Sequence, residues 1–80
     1  MADMMELSAQ YRMTGAACRE KLRGAQRALA QGPDFAREME LRREITMLTA
    51  MSRDCTATAN YLRSYAERRE ALERRRRKKA

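Results

Sequence analysis

The side chains of this chain that are equipped for chemistry are two cysteines, Cys18 and Cys55, three tyrosines, and an unbroken C-terminal run of cations, Arg74, Arg75, Arg76, Arg77, Lys78 and Lys79. Histidine is absent, which removes the commonest general base at neutral pH and the commonest transition-metal ligand. Two thiols fall short of a four-ligand zinc site, and no loop of alternating Asp, Asn and Gly offers oxygens to calcium. The carboxylates are dispersed among arginines rather than paired, and Gly32-Pro33 is a turn rather than a phosphate-cradling loop. A cysteine nucleophile would have no histidine to activate it. The residue types therefore predict no enzyme: no catalytic residue, no metal ligand set and no cofactor.

What remains is the chemistry of contact. Six consecutive cations can neutralise phosphates and release counterions, which gives sequence-independent, salt-sensitive nucleic-acid binding. An anionic membrane surface would attract the same run, a weaker reading. Glu70 to Arg74 and Glu73 to Arg77 are i,i+4 pairs in the favourable order, and cations complement the C-terminal end of a helix dipole, so the segment also suits a solvated helix end that frays. Tyr61 and Tyr65 lie one turn apart just before the basic run and can stack on bases or pack with the hydroxyl at the edge. No helix-turn-helix, zinc-finger or RNA-recognition signature accompanies them.

The charge is local. Of the net +7 on 80 residues, residues 67–80 hold +5, from eight Lys/Arg against three Glu, and the first 66 residues hold +2. Met1-Ala2-Asp3-Met4-Met5-Glu6 is acidic and interrupted, unlike a secretory signal, and apolar runs such as Ala16-Ala17-Cys18 are far short of the roughly 20 residues that cross a bilayer. A soluble, cytoplasmic protein with no membrane span is expected, membrane-surface contact being the weakest of the readings of the basic run.

Two elements must position these groups. Met4, Leu7, Tyr11, Thr14, Cys18, Leu22, Ala25 and Leu29 recur at helical spacing and predict a helix over about 4–31, opened by Asp3 as its cap and closed by Gly32-Pro33. Asp34 then caps a second, longer helix from about residue 35, whose stripe runs through Phe35, Leu41, Ile45, Leu48, Ser52, Cys55, Ala59, Leu62, Ala66, Arg69 and Leu72. The expected fold is all-α: an antiparallel two-helix hairpin, coiled-coil-like, over residues 1–66, with a turn at 31–34 and residues 67–80 as a basic helical extension. In that hairpin residue i should face about 65 minus i, so Cys18 meets Met47, Cys55 meets Gln10, and the thiols are about 12 Å apart along the axis, too far for a disulfide. Everything beyond about Tyr65 should overhang.

Helix 2 carries more apolar surface than one partner helix covers. Met39, Met47, Ala50, Met51, Thr58, Tyr61 and Tyr65 lie about 40 to 100° to one side of its stripe. Met39, Met47, Met51, Thr58, Tyr61 and Tyr65 are accordingly the expected protein interface. They would serve a homodimer that pairs two hairpins into a four-helix bundle, or a helical protein partner. Arg74 to Lys79 are the candidate nucleic-acid contacts. A chain this short, with one seam and no disulfide or metal, is marginal alone. Close helix packing is expected at Gly15 and mere tolerance at Gly24.

Overall fold

Residues 31–34 divide the chain into two α-helices, α1 (Met4–Ala30) and α2 (Phe35–Lys79), in a computed structural model that describes residues 3–79, with the Lys79 side chain left out. Each boundary has a local cause. Asp3 is extended and its carboxylate accepts from the Glu6 amide at 2.8 Å, capping α1. At the other end the amides of Gln31 and Gly32 donate to the carbonyls of Ala28 and Leu29, and Gly32 takes a φ of +70°, a left-handed turn that an L side chain resists. Pro33 cannot continue the ladder, and Asp34 Oδ1 accepts from the Arg37 amide at 2.9 Å to start α2. The two helices pack against each other as an antiparallel all-α hairpin, 69 Å long and 18 by 15 Å across. No helix among the described residues is long and apolar enough to cross a membrane.

The contact follows a seven-residue repeat. In α1 the buried positions are Ser8, Gly15, Cys18 and Ala25, with Met4, Leu22 and Leu29 half-buried in the same row; in α2 they are Leu41, Leu48, Ser52 and Ala59, joined by Ile45, Cys55, Leu62 and Ala66. Steps of three and four alternate strictly along α2, and along α1 once Tyr11 is counted, a position expected on the seam that is 41% exposed. This corrects the expected stripe of α1 at two positions: Ser8 and Gly15 face α2 where Leu7 and Thr14 were expected. The physical reason is bulk. The Ser8 hydroxyl donates to the Ala59 carbonyl at 2.8 Å in a buried bond, and a Cβ on Gly15 would lie 3.3 Å from Cys55 Cβ. Helices that approach this closely need their smallest side chains at the crossing. Gly24, by contrast, has only the tip of Arg27 within 4 Å, so its lack of a side chain serves no contact.

These contacts also reset the register. Ser8 with Ala59 and Gly15 with Cys55 give paired numbers that sum to 67 and 70 rather than about 65. The first turn of α2 projects past the end of α1, and Phe35, expected on the seam, is 76% exposed. Cys55 therefore lies against Gly15 rather than Gln10, three residues from Cys18 and roughly 4.5 Å from it along the axis. Both thiols are free. At the open end Asp3, Met4 and Met5 share a cleft with Ala66, Arg69, Glu70 and Glu73, so α1 covers α2 further than Tyr65. Beyond Ala66 every described side chain of α2 is exposed, an overhang of roughly three and a half turns that ends, from residue 74 to 79, in six cations.

Ion pairs add little to this scaffold. Those among the described residues all join neighbours on one helix (Glu20 with Arg23, Arg37 with Glu40, Glu38 with Arg42, Arg63 with Glu67, Arg69 with Glu73), and all are exposed. The expected Glu70–Arg74 and Glu73–Arg77 pairs are not among them, because Glu73 turns back to Arg69 at 3.7 Å.

Candidate functional site

The seam leaves the hairpin with two unlike flanks. On one, α1 presents arginines that reach across to α2: Arg12 Nη2 donates to Asn60 Oδ1 and Arg19 Nη1 to Thr56 Oγ1, both at 3.2 Å. Thr49 and Arg63 continue this row on α2 at seven-residue spacing from Thr56. Thr49 returns its hydroxyl to the Ile45 carbonyl and Arg63 pairs with Glu67, so the polar groups of this flank satisfy one another. It is a closed, hydrated surface.

The opposite flank is apolar. Met51, Thr58, Tyr65 and Leu72 recur every seven residues along α2, with Met47 and Tyr61 beside them, roughly 80 to 130° round the helix from the seam. Met47, Tyr61 and Leu72 are 55, 63 and 58% exposed, and Met51 and Tyr65 are exposed as well. Thr14, Ala17 and Lys21 of α1 form a groove with Glu44, Met47 and Met51 at the turn-proximal end of this flank. At the open end Tyr61, Tyr65 and Leu72 share a cleft with Arg68, Arg69 and Arg76.

Five of the six interface residues read from the sequence thus share one flank: Met47, Met51, Thr58, Tyr61 and Tyr65. Met39 lies on the outer face of α2, in a cleft with Arg42, Arg43, Thr46 and Met47, and does not join the row of Met51, Thr58 and Tyr65. Leu72 joins the flank, although its type and spacing from Arg69 place it on the predicted stripe. The signal that separates it is the alternation itself: the step after Arg69 has to be four, to Glu73, and a step of three leaves the seam. Phe35 carried a similar warning, since six residues to Leu41 is not a helical return.

The basic segment continues α2 as helix to Lys79. Arg74, Arg75, Arg76, Arg77 and Lys78 are exposed, and none of them makes an ion pair among the described residues; the side chain of Lys79 lies outside the description. No three His, Cys, Asp or Glu side chains converge on a possible metal position among the described residues. Glu20 has its carboxyl held below the usual range, chiefly by the 2.6 Å hydrogen bond from Arg23 and then by the charge of Arg23, with Arg27 adding to it. A depressed folded pKa contributes stability above the ordinary carboxylate range and loses it as pH falls through the folded value. Full exposure makes that contribution slight and screened by salt.

No protein-family model matches this chain, and neither the curated proteins nor the solved structures contain a match to it. Function is therefore argued from the surfaces alone.

Proposed function

We propose that this protein is a non-catalytic helical interaction module that associates through the apolar flank of α2, two hairpins pairing into a four-helix bundle. The observation that carries this reading is where the large side chains lie. Met47, Met51, Tyr61, Tyr65 and Leu72 project from one flank, while six of the eight fully buried seam residues are Ser, Gly, Ala or Cys. Exposed apolar rows of this length mark association sites, and methionine and tyrosine are favoured on them, the first for its flexibility and the second for its amphipathic ring. The strict seven-residue repeat supports a coiled-coil-like hairpin whose outer row can take another helix. Such a module would work in the cytoplasm, with no metal or cofactor.

Replacing both Met51 and Tyr61 with Asp tests this. Light scattering is expected to give twice the chain mass for the parent and the single mass for the variant, with helical circular dichroism kept in both. An unchanged dimer in the variant would overturn the reading.

A second reading is favoured by one separate observation: residues 74–78 at the end of the overhang are all cations, all exposed, and make no ion pairs among the described residues. As a nucleic-acid accessory protein, the chain would bind single strands or duplexes without sequence preference, weakening steeply between about 50 and 200 mM salt. Deletion of residues 74–80 should remove both affinity and salt slope; a deletion that changes neither would refute it.

A further inference from the structure

We infer that the occupant of the apolar flank is the same flank of a second copy, running antiparallel, with the two-fold axis passing near Thr58. This rests on the self-association reading above and specifies its geometry. Thr58 stands midway along the flank's seven-residue row. Met51 and Tyr65 lie seven residues to either side, and Glu44 and Leu72 lie 14 to either side. Arg68 and Arg75 bracket the Leu72 position at 10 and 17 residues from Thr58.

An antiparallel partner centred there lays Met47 and Met51 of one copy against Tyr61, Tyr65 and Leu72 of the other. Glu44 then falls between Arg68 and Arg75 of the second copy, and the same contact repeats on the other side of the axis. Glu44, Arg68 and Arg75 make no ion pair within the hairpin among the described residues, and Arg68 is held only by a 3.4 Å bond from its Nε to the Ser64 carbonyl, so all three charges come to this contact unpaired. A parallel pairing does the reverse. It sets Arg68, Arg75 and the whole basic overhang against their own copies, stacking like charges along the last turns of α2. The antiparallel arrangement separates the two overhangs to opposite ends of the bundle and leaves the closed polar flank of each hairpin facing water.

The test uses the full chain. Glu44→Arg is expected to raise the dimer dissociation constant about tenfold, because the two-fold repeats each altered contact. Adding Arg68→Glu and Arg75→Glu should restore most of it. Independently, a single spin label at Ala57 or at Ala71, both exposed and off the flank, is placed in a chain whose two cysteines are changed to alanine. The label-to-label distance at residue 71 should exceed that at residue 57 by about 20 Å, from the axial rise on either side of the axis. Equal distances at both sites in a protein of dimer mass would overturn the antiparallel pairing and leave the association reading standing. A monomer would overturn both, as would a chain that assembles only when a single-stranded oligonucleotide is added. Should the alanine background fail to fold, the charge-swap series with native thiols decides: no weakening from Glu44→Arg, or no rescue, overturns the pairing.

Discussion

The two long faces of α2 are built on opposite plans. Toward α1 it presents Ser52, Cys55 and Ala59 in its middle turns, and Leu41 and Leu48 near the turn are its well-buried large side chains. Away from the seam, on the apolar flank, it presents Met47, Met51, Tyr61, Tyr65 and Leu72 to solvent. In an isolated hairpin the larger side chains would be expected inside, since each stabilises roughly in proportion to the apolar area it removes from water. The difference teaches that close approach, not area, organises the middle of the seam, and that the flank carries large apolar side chains the single chain leaves exposed. Small seam residues bring the backbones near enough for the Ser8 hydroxyl to reach the Ala59 carbonyl; the large flank residues stay in solvent.

Substitutions on the seam sharpen this contrast. The largest loss is expected for Leu41→Ala, which empties the one large side chain that is essentially fully buried; thermal or denaturant unfolding should fall by about 2–5 kcal/mol. A fall no greater than that of an exposed flank residue would break the contrast at its strongest point. Ala59→Leu inserts bulk where α1 is closest and is expected to cost about 1–3 kcal/mol. If it stabilises the monomer instead, the seam is not limited by approach. Ser8→Ala should cost about 1 kcal/mol, because it removes a buried hydrogen bond across the seam while the Ala59 carbonyl keeps only its intrahelical donor.

The smallest and most discriminating pair is Gly15→Ala and Gly24→Ala. Alanine is worth up to about 1 kcal/mol over glycine in a helix. At Gly24, with open space, chemical denaturation should register that gain. At Gly15 the new methyl meets Cys55 Cβ at 3.3 Å, and because that atom is fixed to the α2 backbone the gain should be cancelled or reversed. Equal gains at both positions would mean the helices can part without cost.

Much of this architecture was legible in the sequence, for identifiable reasons. Helix ends are local decisions made by Asp3, Gly32, Pro33 and Asp34, and a reader of residues sees them directly. The choice between Leu7 and Ser8, or Thr14 and Gly15, is not local. Both rows have helical spacing, and only the partner helix decides which one it can approach, so apolarity pointed to the wrong member of each pair. The same ambiguity moved the register by a few residues and with it the neighbour of Cys55. On the flank, the sequence indicated five residues that do share one surface, because an excess of apolar positions remains visible however the seam is drawn. Met39 was grouped with them because a seam drawn through Phe35 rotates the first turns of α2 toward that side.

The four-residue connection has a consequence for kinetics. Loop closure grows costlier with the length of chain enclosed, so the contacts nearest the turn, between Ala25 or Leu29 and Leu41, form at the least entropic cost, and the seam closes outward like a zipper. The Ser8–Ala59 bond, which spans 51 residues, closes late. Rate measurements should then divide the molecule along its length: Leu41→Ala should slow folding, while Ser8→Ala should leave the folding rate nearly unchanged and hasten unfolding. The open end would thus govern how long the hairpin persists once formed.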